Sequence, residues 1–148
     1  MSASRHPLRP GRLLMAACVL TFVMSAVHGQ STAPGGSIMP LLQERLGLTD
    51  PQVRGALGAL LVFVRERLPK PDFDDLAETI PNAEHIMQDV KIRGIVTGPL
   101  DDMEDYEATL SSLGIGQPLA SQIAPAVLQA LAETGHSHER DILSRALN

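Results

Sequence analysis

Residues Thr49–Leu68 read TDPQVRGALGALLVFVRERL, and the stretch Gly55–Val64 inside them carries no polar side chain. Arg54 bounds that run on one side and Arg65, Glu66 and Arg67 on the other. It is only half of the roughly 20 apolar residues that cross a bilayer, so it predicts a core helix. Thr49 is placed to cap the helix, Gln52 completes a capping box, and Asp50 and Pro51 suit its first turn. Val53, Leu57, Leu60, Leu61, Val64 and Leu68 recur at helical spacing, while Ala56, Ala59, Val62 and Phe63 form a second apolar face. No single flat partner can cover both faces, so other helices have to surround this one. Gly55 and Gly58 each cost about 1 kcal/mol of helix propensity, and tight approach of neighbouring helices is the expected return.

The pattern extends outward in both directions. Ile38, Leu41, Leu42 and Leu46 predict a short helix over 38–46, with Pro40 in its first turn and Gly47 at its end. Downstream, Pro69 and Pro71 break the central helix, and Asp72 is placed to cap a helix over 73–80 that Pro81 ends. Asn82 is placed to cap the next, running to about Val90. Residues 91–100, KIRGIVTGPL, read as a loop, because a single extended segment cannot build a sheet. Asp101–Leu113 is a fifth helix with acids crowded into its first turns and Met103, Tyr106, Leu110 and Leu113 on its inner face. Leu119–Glu133 is a sixth, in which Pro125 predicts a kink or a split near Gln122. Ser137 is placed to cap a last amphipathic piece carrying Ile142, Leu143 and Leu147. The expected fold is all-α, a bundle of six or seven short helices around helix 49–68, forming a single domain over 38–148.

Composition agrees with an aliphatic, helical core. The chain has no Trp, one Tyr and three Phe, which disfavours sheets. All seventeen acidic residues follow position 30, where they face nine Lys and Arg, a formal charge of −8 for that part. This argues against nucleic acid or anionic lipid as a partner, and solubility is the simplest account of it.

Residues 1–12 contain three Arg and no acid and lead into the apolar run Leu13–Val27. This is the pattern of a secretory signal peptide over 1–29, with cleavage after Gly29, or after Ala26, and a linker QSTAPGGS over 30–37. The chain is accordingly expected to be exported to the periplasm or the medium. Met15-Ala16-Ala17-Cys18 has the look of a lipobox, but the apolar run continues nine residues past Cys18, whereas a lipobox cysteine closes it. Cleavage removes Cys18, the sole cysteine, and with it any disulfide, cysteine-zinc or thiol chemistry. Membrane attachment is expected only if the N-terminal segment is retained.

The run Leu46–Met87 resembles the VcgC/VcgE-like family of bacterial proteins of unknown function. The resemblance rests on Leu46-Gly47, the capped helix with its Gly55–Leu61 centre, Asp72-Phe73 and Ile80-Pro81. Leu113-Gly114, Ala124-Pro125-Ala126-Val127-Leu128 and Gly135 are similar to the family's C-terminal half, so the resemblance covers about residues 38–148. Asn82 stands where the family more often has glycine. The resemblance implies no activity and no catalytic residues.

Candidate chemistry is sparse. His136, His138 and Asp141 are the one cluster of metal-ligand types, and a zinc or copper site would need a further ligand such as His85. Two histidines beside a helix start near the C-terminus are more often simply solvated, so no metal site is expected and the three are weak candidates. Asp101, Asp102, Glu104, Asp105 and Glu107 lack the glycine and the alternating spacing of a calcium loop. Asp72, Asp74 and Asp75 are better explained by helix capping than as an acid–base pair. No nucleophile elbow, phosphate-cradling loop or zincin motif occurs, and no cofactor is implied. The expected function is therefore a non-enzymatic binding or interaction module, for a protein partner or an apolar small molecule or lipid. The alternatives are a metal- or carboxylate-dependent hydrolase assembled from distant residues and a membrane-anchored structural protein.

Overall fold

The computed structural model describes residues 37–148; the proposed signal segment 1–29 and nearly all of the linker 30–37 lie outside the described residues. Seven helices follow one another among them: α1 (Ile38–Leu46), α2 (Asp50–Arg65), α3 (Lys70–Glu78), α4 (Ala83–Ile92), α5 (Met103–Ser112), α6 (Gln117–Glu133) and α7 (Ser137–Leu147). No strand occurs among the described residues.

Helix α2 is the core element. Every residue from Gly55 to Val64 is buried, and Leu57, Ala59 and Val64 are wholly inaccessible. Its start is fixed by Gln52, whose Oε1 accepts from the Thr49 backbone N–H at 3.1 Å and from the Thr49 hydroxyl at 2.9 Å. The Gln52 amide donates across to the Leu113 carbonyl at 3.3 Å, which ties the start of α2 to the end of α5. α2 packs directly against α1, α3, α4, α5 and α7, while α6 packs on α1, α5 and α7. Burying a Leu, Val or Phe side chain contributes about 1.5–3 kcal/mol, so the ring of helices around α2 carries much of the stability.

The regular part of α2 ends at Arg65, earlier than the sequence pattern suggests, and a turn continues through Leu68. Arg67 fastens that end: its guanidinium lies 3.6 Å from the centre of the Phe63 ring and donates to the carbonyls of Phe63, Leu100 and Asp101. The loop 93–102, anchored by buried Val96 and Leu100, is thereby held across the end of the core helix.

Three caps differ from expectation. α3 starts at Lys70 rather than Phe73, because Pro71 is acceptable within a first turn, so Asp72 lies inside the helix and does not cap it. Asn82 precedes α4 in the left-handed conformation, φ 60°, and makes no side-chain cap bond; it turns the chain instead. His136, not Ser137, stands at the cap position of α7. Helix α6 is not split, and runs unbroken from Gln117 to Glu133 with Pro125 inside it. Pro125 and Ser121 both face solvent, so the carbonyl that loses its helical donor can be met by water.

Candidate functional site

Helices α3 and α4 form a hairpin, joined by Thr79-Ile80-Pro81-Asn82, and between them and the end of α2 runs a groove of about 1040 Å³. Leu68, Phe73, Ile80 and Met87 contribute its apolar floor. Phe73 and Met87 belong to the core, so the floor is the outer surface of packed side chains. Arg65 stands over the Phe73 ring at 5.7 Å, and Lys70 is paired with Asp74 at 2.5 Å. That leaves Glu78 and Glu84 as rim carboxylates without an ion-pair partner among the described residues.

A second recess, of about 390 Å³, lies among α5, α6 and α7. Met103, Leu128 and Leu147 contribute apolar wall, and Tyr106 lines it as well. The Tyr106 ring packs against Phe63 with centroids 5.7 Å apart, and its hydroxyl is buried without a hydrogen-bond partner. Burial pushes the phenol pKa well above its ordinary value, and the neighbouring Glu107 carboxylate adds to the rise.

The metal-ligand candidates are not assembled into a site. His136 is half-buried, with Nδ1 3.0 Å from the Thr134 hydroxyl. The same hydroxyl lies 2.8 Å from the Ala130 carbonyl, so the ring and the hydroxyl together tie the turn before α7 to the end of α6. His138 is exposed, and Asp141 is taken up by the adjacent Arg140. His85 belongs to α4 and lines the α3–α4 groove. Among the described residues no three His, Cys, Asp or Glu side chains converge in a way that could hold a metal ion. No charged side chain is buried among them either.

The interior is closed. Where Leu42, Leu46, Val53, Leu57 and Ile123 meet between α1, α2 and α6, no space large enough for a water remains. Ile92 is the one large hydrophobic side chain exposed among the described residues, at 84%. No described helix is long and apolar enough to cross a membrane.

The family model described as protein of unknown function VcgC/VcgE matches residues 23–148, a span that includes all seven helices. The chain belongs to this family. No curated protein and no solved structure matches the chain. Within this VcgC/VcgE protein, the elements that carry the resemblance are structural. Leu46-Gly47 ends α1, Gly55–Leu61 is the centre of α2, and Ile80-Pro81 opens the turn of the hairpin that shapes the groove. Sequence periodicity marks Phe73, Ile80 and Met87 as inward-facing, but it carries no sign that two consecutive helices splay far enough to leave their edges as a groove floor. The rim pair Glu78 and Glu84 escapes notice for the same reason.

Proposed function

We propose that this VcgC/VcgE protein is exported and works by binding rather than catalysis, with the α3–α4 groove seating a basic, amphipathic segment of a partner protein. The observation that supports the reading best is the pairing of chemistries in that groove: an apolar floor at Phe73, Leu68 and Ile80 beneath the rim carboxylates Glu78 and Glu84. Such a surface suits an apolar stripe flanked by Lys or Arg, the pattern of helix-in-groove recognition. The excess of acid over base beyond position 30 favours approach of a cationic partner. Catalysis by distant acids and histidines is disfavoured because no charged group is held away from water among the described residues. Export rests on the Arg-bearing start and the apolar run Leu13–Val27.

A photo-crosslinking residue at Ala77, in the groove, and another at exposed Ser112 on α5, tested in the cells that make the protein, separate the possibilities. A defined adduct at position 77 that is absent at 112, and is lost in the Glu78→Lys, Glu84→Lys double variant, is expected. Adducts at both positions alike, or at neither, overturn the groove reading. The intact mass of the purified protein reads export separately, since a chain starting at Val27 or Gln30 is expected and one retaining Leu13–Val27 counts against it.

A further inference from the structure

We propose that the recess among α5, α6 and α7 is a small-molecule site for a neutral, compact apolar compound bearing one carbonyl oxygen, which accepts a hydrogen bond from the Tyr106 hydroxyl. This site is independent of the α3–α4 groove and shares no lining residue with it. Its volume, about 390 Å³, falls at the lower end of the range for small-molecule sites, roughly 300–1,000 Å³. Met103, Leu128 and Leu147 supply apolar wall.

Tyr106 supplies the polar group. It is 0% exposed and its hydroxyl has no partner among the described residues, although buried polar groups are nearly always paired. A phenol held protonated in such surroundings is a donor awaiting an acceptor, and a carbonyl oxygen is the simplest one an apolar ligand can bring. The charge of the ligand is set by Glu107, whose carboxylate lines the same recess and is held by the Gln117 amide at 2.9 Å. A carboxylate ligand would be repelled there, whereas a ketone, ester or amide would not. The hydroxyl itself is closed to solvent, so a ligand reaches it only when half-buried wall residues of the recess, Met103 and Leu147 among them, give way. Methionine is unbranched and adaptable, and Leu147 belongs to the last turn of α7, where helices fray.

Cyclohexanone, cyclohexane and cyclohexanecarboxylate are three probes of one shape, and titration of each into the protein, followed by amide chemical shifts, tests the site. Cyclohexanone is expected to give saturable shifts at Met103, Leu128 and Leu147 and to bind more tightly than the other two. Tyr106→Phe removes the donor alone and is expected to weaken cyclohexanone about threefold to tenfold, the range a single hydrogen bond supplies. The Glu78→Lys, Glu84→Lys variant is expected to bind cyclohexanone unchanged, which keeps failure here distinct from failure of the groove reading. Cyclohexane or the carboxylate binding as tightly as the ketone overturns the proposal, as does unchanged affinity in Tyr106→Phe. An ordered water on the Tyr106 hydroxyl in a crystal structure overturns it too, and neither the probe comparison nor that structure depends on the variant folding.

Discussion

Gly58 on α2 and Val90 on α4 lie so close that a Cβ built on Gly58 would stand 2.6 Å from the Val90 Cγ1 atom and 3.0 Å from the Ile86 carbonyl oxygen. The missing side chain is what lets α4 lie against the core helix. Gly58→Ala gains about 1 kcal/mol of helix propensity but has to push back a backbone carbonyl, and overpacking of this kind costs typically 1–3 kcal/mol. Net destabilisation is expected, read as a lower urea midpoint. Gly55 offers the contrast, because its Cβ would meet only the side chain of half-buried Leu113, with the nearest methyl at 2.7 Å and no backbone atom in the way. Gly55→Ala is expected to be neutral or mildly stabilising. A Gly55→Ala loss as large as that of Gly58→Ala would contradict this account of the two glycines.

Arg67 is expected to matter more than any surface ion pair. Its guanidinium serves three carbonyls and stacks on Phe63, a geometry that a lysine ammonium cannot reproduce. Arg67→Ala is expected to cost about 2 kcal/mol, with Arg67→Lys recovering less than half. Because the partners are neutral carbonyls, the cost should persist at high salt, whereas exposed pairs such as Arg54–Asp50 fade. Denaturation with and without 1 M salt, roughly the level at which the Debye length falls to about 3 Å, separates the two.

Tyr106 is the sole tyrosine, so its ionisation can be followed without interference. Its folded pKa is raised above the unfolded value, so the folded state holds the proton more tightly. The associated stability is fully present below about pH 10 and falls by about 1.4 kcal/mol per pH unit as the pH rises above that value. Phenolate absorbance is expected to appear only together with the loss of helical circular dichroism. In Tyr106→Phe the alkaline decline should be shallower, and stability at neutral pH should hold or rise, since an unpaired buried hydroxyl is removed. Phenolate forming in a protein that remains fully helical would show that ionisation does not require unfolding.

Pro125 offers no N–H to the Ser121 carbonyl one turn earlier, yet α6 continues through it. Proline is about 3 kcal/mol worse than alanine inside a helix, and the stiffening it gives the unfolded chain returns at most about 1 kcal/mol. Pro125→Ala is therefore expected to stabilise by about 2 kcal/mol, measured as a rise in the urea midpoint. A loss of stability would mean that α7 and α5 pack against a bend that only proline imposes on α6.

The sequence determined by itself that the described part of this protein is an all-α bundle of six or seven short helices, and nearly where each one lies. Those signals are local. Pro40 and Gly47 bracket α1, Thr49 with Gln52 starts α2, and Asp102 accepts from the Asp105 N–H at 2.9 Å to start α5, all within a few residues of the boundary they set. Even the local errors, at Asp72, Asn82 and Ser137, displaced a cap without losing a helix. The His136, His138 and Asp141 cluster was legible as residue types, but Thr134 and Arg140 engage two of its members, and contacts of that kind depend on how a turn is folded. Only the tertiary structure decided that α4 meets α2 at Gly58, that α3 and α4 splay into a groove, and that the Tyr106 hydroxyl is buried without a partner. Periodicity tells which side of a helix turns inward. The neighbour it meets, at what distance, and the space left between them follow from the packing of all the helices at once.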